Sequence, residues 1–315
     1  MNDSSRSKGI QAAAASAFFL GLAPIFGKQA ILIGFSPLAV VALRTGIAVL
    51  FLVGLMALFQ RPFFYIHPIG LVGCILAGLI NGLGSILYYT GLSRIDASIG
   101  QLIYSFYPIF LAFWLLLDRQ PIHLITALRL GLALPGVYLL VSSGERPVDL
   151  LGVLMMAGAA MLYALHLLIN QRILFEVPAP TVTLYTLLSM AFTVTVAFTL
   201  FNPEVPGIET NYFPVLGLAA ITFFSRITLF LGVKHLGSMQ TALMGLGELL
   251  ITVFSALLFL DEVLTPIQWI GAALLAFSLV LVGFDRYTPE KRNATGLLSW
   301  LNPPKIHPND IPWQS

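Results

Sequence analysis

Ten apolar stretches, each long enough to cross a bilayer, fill nearly the whole chain from Ile10 to Phe284. A hydrocarbon core about 30 Å thick takes roughly 20 apolar residues per helix, and inside it every backbone polar group must be satisfied within the chain. The pattern predicts an all-α integral membrane protein with ten transmembrane helices over 10–33, 37–59, 68–92, 96–117, 122–142, 149–171, 179–201, 213–235, 238–260 and 265–284. The breaks carry stop chemistry: Gly34 to Pro37, Arg61-Pro62, Pro121, Ser142 to Pro147, Pro178 to Pro180, Asn202 to Pro206 and Asp261 to Pro266. Of 315 residues 58% are hydrophobic and 10% charged, against about 25% charged in soluble domains. The lipid bilayer is therefore an expected partner, and nucleic acid is not.

Charge is distributed unevenly about these spans. With the N-terminus inside, the even-numbered loops and both tails carry Arg6, Lys8, Arg61, Arg119, Arg172, Lys234, Arg286, Lys291, Arg292 and Lys305, while the odd-numbered loops carry Arg94 and Arg146. That positive-inside bias puts both termini in the cytoplasm, with residues 1–9 and 285–315 as cytoplasmic tails around a multi-pass protein of the cell (inner) membrane. Arg6 and Lys8 before an Ala/Phe-rich run have the flanks of a signal sequence. The run exceeds a usual signal core and further spans follow, so it reads as a retained first span. The sequon Asn293-Ala294-Thr295 falls on the side where it goes unused. A single cysteine, Cys74, excludes an intramolecular disulfide and a multi-cysteine metal site, and reads as a packing residue.

The two halves repeat each other. Thr90 to Leu102 corresponds to Leu231 to Leu243, and each copy then runs to an acidic end, Leu117-Asp118-Arg119 or Leu260-Asp261-Glu262. The repeats occupy 10–142 and 149–284. Each holds five spans, an odd number, so the two lie in opposite orientations, a recurrent design with a site at the repeat interface. A short basic turn, an Ala-Ser or Gly-Ser step, a span with a mid-helix Pro or Glu, an acidic end and a Gly-rich span occur twice. This pattern resembles the EamA-type drug/metabolite transporters over about residues 10–284. The resemblance implies an inner-membrane carrier, often an exporter of amino acids or related metabolites, with relatives that move nucleotide sugars, sugar phosphates or lipid-linked sugars. Leu249 stands where the first copy has Pro108, and Asp118-Arg119 replaces the usual acidic ending of that span.

Polar residues spaced three and four apart mark helix faces turned from lipid: Pro24 and Lys28; Asn81, Ser85 and Tyr88; Gln101, Tyr104 and Pro108; Tyr163, His166 and Asn170; Thr222 and Arg226; Thr241, Gly245, Glu248 and Thr252. Spans 1, 3, 4, 6, 8 and 9 are thereby assigned to a central cavity, and spans 5 and 10, rich in Gly, Ala and Leu, to helix packing. Arg226 and Glu248 lie 11 residues to either side of Gly237, at one level about 16 Å from that turn. They are expected to form a buried ion pair, either static or releasing Arg226 when Glu248 is protonated or an anion replaces it. Lys28 and Arg44 lie eight residues to either side of Ser36. Either they face apart, one snorkelling outward, or together they hold a carboxylate or phosphate; a further alternative puts Arg44 on carbonyls that cap a neighbouring helix. Arg129 reads as a snorkelling anchor.

Four cations, Lys28, Arg44, Arg129 and Arg226, stand against Glu248 inside the spans, a lining that favours anionic solutes. Tyr88, Tyr104, Tyr107 and Tyr163 add aromatic walls with hydroxyl handles, and His166 is either a titrating or a neutral hydrogen-bonded group. The candidate substrate-binding residues are Lys28, Arg44, Asn81, Tyr88, Tyr104, Tyr163, His166 and Arg226, with Glu248 as the coupling residue. The expected partners are a small-molecule substrate and, for coupling, protons or a counter-substrate. No HExxH, GxSxG or Walker motif is present, so neither a membrane enzyme nor intrinsic ATP hydrolysis is expected, and no metal or cofactor. A flippase for lipid-linked sugars is the alternative that keeps the fold.

Overall fold

The computed structural model describes residues 3–95, 97–120, 124–141, 149–201, 203–207, 209–251, 265–281 and 296–301. Asp96, Pro121, Ser142 to Pro147, Asn202, Thr252, Asp261-Glu262, the tail cations Arg286, Lys291, Arg292 and Lys305, and the Asn293 sequon lie outside them. Every regular element among the described residues is helical: α1 (Asp3–Leu32), α2 (Pro37–Phe59), a 3-10 turn (Arg61–Phe64), α3 (Pro68–Arg94), α4 (Ala97–Tyr104), α5 (Tyr107–Leu117), α6 (Leu124–Val141), α7 (Leu150–Leu174), α8 (Ala179–Phe201), α9 (Phe213–Leu236), α10 (Ser238–Gly245) and α11 (Pro266–Val280). Six of these, α1, α2, α3, α7, α8 and α9, are long and apolar enough to cross a membrane.

Local chemistry sets the ends. Ser36 caps α2 by accepting the Ala39 N–H at 3.2 Å, with Pro37 in the first turn where its missing donor costs nothing. The α9–α10 turn is made at Gly237, whose φ of +88° is open to glycine and strained for other residues.

The fourth stretch, expected as one span, is two helices. Pro108 has no N–H for the Tyr104 carbonyl and its ring would collide with it, so α4 stops at Tyr104 and α5 restarts at Tyr107. The break is closed by tight turns, Phe106 N to Ile103 O at 3.2 Å and Ile109 N to Phe106 O at 2.9 Å. In the second copy α10 stops at Gly245 and helical backbone resumes at 247–251, with Leu249 N on Leu246 O at 3.2 Å. Leu246 matches Ser105 in the repeat alignment, so proline in one copy and flanking glycines in the other interrupt the same position.

Packing exchanges the two copies. The third stretch of the first repeat, α3, packs along the first of the second, α7; α9 and α1 do the same with roles reversed, and α6 packs on α11. Backbones come close where glycine allows it. A Cβ on Gly78 of α3 would lie 2.5 Å from Ser189 Cβ and from the Thr186 carbonyl of α8. Gly78→Ala is therefore expected to destabilise the protein by about 1–3 kcal/mol through forced separation of α3 and α8, measured as a lower melting temperature in detergent. The largest apolar cluster, with Leu111, Leu115, Leu167, Ile173 and Leu243 in it, fills the end of the bundle where α5, α7 and α9 finish.

At the opposite end, Asp149 caps α7 through Leu151 N–H at 3.0 Å and accepts Arg94 Nη1 at 3.1 Å. The Arg94 hydrogen bond, then the Leu151 N–H, hold its carboxyl below the usual range. A depressed carboxylate stabilises the fold above its unfolded value of about 3.9 and loses that contribution as pH falls through the folded one. Melting temperature is expected to fall on acidification below about pH 4, and Asp149→Asn to remove a small part of that fall, since the pair is solvent-exposed.

Candidate functional site

A polar cavity lies at the level of the helix breaks, toward the end where α1 and α3 finish. It is lined by Leu20, Ala23 and Pro24 of α1, Arg44 of α2, Asn81, Gly84, Ser85, Tyr88 and Tyr89 of α3, Gln101 and Tyr104 of α4, Ala159 and Tyr163 of α7, Arg226 of α9, and Glu248. These come from the six stretches whose polar faces turn from lipid, plus Arg44 of the second. The space admits the centres of water-sized spheres over ≈ 70 Å³, room for about five waters at about 10–15 Å³ each, or for a small polar head group.

Three charged side chains face this space, each 7% exposed or less. Arg44 donates from Nη1 to Thr222 Oγ1 and from Nη2 to Ser85 Oγ, both at 3.2 Å, and its guanidinium lies 4.8 Å from the Tyr89 ring centre. Arg226 donates to Asn81 Oδ1 and to His166 Nε2, each at 3.4 Å. Both arginines leave their Nε–H without an acceptor among the described residues, although a buried donor normally has one. Across from them, Glu248 Oε1 accepts Gln101 Nε2 at 3.0 Å, and Gln101 Oε1 accepts the Tyr88 hydroxyl at 3.1 Å. Tyr88, Tyr104 and Tyr163 form the wall, with Tyr104 4.9 Å from Tyr88 and 5.5 Å from Tyr163 between ring centres.

The broken helices meet beside this carboxylate. Tyr107 donates its hydroxyl to the Ala242 carbonyl at 2.7 Å. The repeat alignment pairs Tyr107 with Glu248 and Gln101 with Ala242, so Tyr107–Ala242 and Gln101–Glu248 are the same contact seen from the two copies. One copy has kept a tyrosine hydroxyl there, and the other has a carboxylate that opens onto the cavity.

Several expectations are corrected. Arg226 and Glu248 do not form the expected direct pair: Arg226 takes Asn81 and His166, and Glu248 takes Gln101. Lys28 stands outside the lining. Its ammonium reaches the Leu92 carbonyl at 3.0 Å and the Ile95 carbonyl at 3.4 Å, doing for the C-terminus of α3 the carbonyl-capping considered for Arg44. His166 is fully buried behind Arg226 rather than in the cavity. Its Nδ1 lies 3.0 Å from the Ala77 carbonyl, which can only accept, so Nδ1 carries the proton and Nε2 presents its lone pair to Arg226. Tyr107 is buried at the crossing instead of in the wall. Arg129, expected to snorkel, has no exposed surface. It bonds Gln240 and, from Nε, the Ser278 carbonyl at 3.2 Å, between α6 and α11. Arg172 is no loop charge but a buried residue of α7 paired with Asp118. The sequence reading missed Tyr89, whose ring faces a cation one span away with nothing in its spacing to say so.

A helical bundle that surrounds a charged, aromatic-walled chamber with interrupted helices at its centre has the form of an integral membrane carrier. The chain belongs to the EamA-like transporter family, whose model matches residues 7–142 and again 150–284. An uncharacterized transporter of Synechocystis sp. is 27% identical over 226 residues, 69% of this chain and 67% of that protein. A crystal structure of 17% sequence identity superposes with a TM-score of 0.70, covering 90% of this chain and 98% of its own, a likeness of fold.

Proposed function

We propose that the protein is a secondary transporter that exports amino acids or related small anionic, amphipathic metabolites across the cell (inner) membrane by alternating access. Ten crossings, two inverted five-helix repeats and cytoplasmic termini complete this reading. The observation that carries it is the pair of buried arginines that line one cavity together with a buried carboxylate. In this reading a substrate carboxylate answers the charge of the two guanidinium groups that line the cavity, Tyr104 and Tyr163 pack its body, and Glu248, through Gln101, couples occupancy to protons or a counter-substrate. Lys28 is assigned to holding the end of α3, and His166 to aiming Arg226.

The test is thermal stabilisation of the purified protein by a panel of amino acids, organic acids, sugar phosphates and nucleotide sugars. A ligand at a hundredfold excess over its Kd stabilises by about 2.7 kcal/mol, and the expected responders are carboxylate-bearing amino acids. A response confined to phosphorylated sugars overturns that substrate class in favour of a sugar-phosphate carrier or flippase, for which the same two arginines offer a phosphate clamp. In reconstituted vesicles Glu248→Gln is expected to retain binding and to lose the pH dependence of transport; normal transport at every pH would remove Glu248 from coupling.

A further inference from the structure

The end of the bundle away from the cavity is closed by a buried polar knot. Asp118, just past α5, is fully buried and Arg172 is 4% exposed. Arg172 donates to Asp118 Oδ2 from Nη2 at 2.6 Å and from Nε at 3.2 Å, and Gln120 Nε2 adds a third bond at 2.8 Å. The network continues from Gln120 Oε1 to Gln171 Nε2 at 3.5 Å, and from Gln171 Oε1 to the backbone N–H of Ser238, the first residue of α10, at 2.7 Å. It therefore joins α5 of the first repeat to α7 and α10 of the second.

The remaining carboxylate oxygen takes a donor from far along the chain. Asp118 Oδ1 accepts the backbone N–H of Leu298 at 3.0 Å. Leu298 and Leu301 are 4% and 1% exposed and belong to the largest apolar cluster. Leu301 Cδ1 lies 3.3 Å from the point where a Cβ on Gly73 of α3 would stand. Gly296 lets the segment approach: a Cβ there would sit 2.6 Å from both the Asp118 carbonyl and Oδ1. Arg119, beside the knot, has a left-handed φ of +56° that bends the chain away after Asp118.

We propose that residues 296–301 are a latch. By seating Leu298 and Leu301 in the bundle and placing a backbone donor on Asp118, the segment holds shut the end of the path opposite the cavity, and its release lets that end open. This rests on the alternating-access reading. A carrier of that kind must part α5 from α7 and α10 at this end, where the network joins all three, and charged groups that part can be rehydrated. An apolar plug tied to the shared carboxylate adds a closing contact from outside the ten spans.

The test reads opening directly. Ser238→Cys on a Cys74→Ala background places a thiol at the knot while keeping the backbone N–H that Gln171 holds. Its alkylation by a membrane-impermeant maleimide is followed with and without Leu298→Asp combined with Leu301→Asp. The expected result is slow labelling in the parent and a rise of about tenfold or more on losing the latch's charge-accepted hydrogen bond and seat. Asp118→Asn combined with Arg172→Gln cuts the knot and leaves the leucines in place. Labelling that rises in this protein and not in the leucine variant overturns the latch and leaves alternating access standing. Protection in both overturns the latch and argues against opening at this end. Where the aspartates prevent insertion, Leu298→Ala with Leu301→Ala is scored by the same outcomes.

Discussion

Arg172→Leu is expected to lower the stability of the folded protein by about 3–5 kcal/mol, because it leaves Asp118 a buried carboxylate without its cation. Two charge-assisted bonds to Asp118 Oδ2 are lost. The Gln120 and Leu298 donors remain, but neutral dipoles do not replace a guanidinium in a site with no exposed surface. The reciprocal Asp118→Leu is milder, since Arg172 sits two residues from the end of α7 and its long stem can carry the charge toward water. The double replacement Asp118→Leu, Arg172→Leu is expected to recover most of the loss, as apolar substitutes for buried ion pairs commonly do. Chemical denaturation in detergent of the four proteins gives the coupling energy. A cost below about 1 kcal/mol for Arg172→Leu places the pair with exposed bridges and removes the knot as a structural element. Stability and transport should then separate. The doubly leucine protein folds but cannot exchange an ion pair for water at that end, so its transport in vesicles falls while its melting point stays near the parent's.

The architecture was largely legible because burial in lipid imposes a length and a polarity on each helix. Pro37, Pro68, Gly237 and the Gly-rich turns set boundaries that the chain follows within a few residues. The break in the fourth stretch was signalled by Pro108, a mid-helix residue that cannot accept a through-going helix, yet its counterpart at Leu246 carries no proline and becomes visible only through the repeat. Counting from the turns placed Arg226 and Glu248 at one depth, and both do line one cavity. Depth does not fix azimuth, and a helix face is set by neighbours from the other repeat. That is why Lys28, expected level with Arg44, turns to the carbonyls at the end of α3, and why His166 stands behind Arg226. The Asp118–Arg172 pair was hidden for a simpler reason. Charges at span ends read as loop charges, and spacing along one span does not show that Gln120, Gln171 and the segment carrying Leu298 and Leu301 gather around them.

Arg226→Gln is expected to weaken binding of a carboxylate-bearing substrate by about tenfold to a hundredfold, the loss of one hydrogen bond to a charged group at about 1.5–3 kcal/mol. The glutamine amide can still donate to Asn81 or to the His166 lone pair, so the cavity wall stays satisfied and the loss reports on the ligand rather than on a buried orphan. Arg226→Lys separates charge from geometry. It keeps the cation but loses the fork that reaches Asn81 and His166 from Nη2 and Nη1, so affinity should fall between those of the parent and the glutamine variant. His166→Leu removes the acceptor that aims the fork and should resemble Arg226→Lys, whereas His166→Gln, which restores an acceptor, should recover part of the affinity. Arg44→Gln decides whether the anion is shared: a loss comparable to that of Arg226→Gln puts the carboxylate between both guanidinium groups, and parental affinity assigns it to Arg226 alone. Isothermal titration with a carboxylate ligand identified by thermal stabilisation measures the parent and all five variants on one scale. If Arg226→Gln and Arg44→Gln both bind as the parent does, the two guanidinium groups are not where the substrate's charge sits, and the selectivity of the cavity passes to its tyrosines and to Glu248.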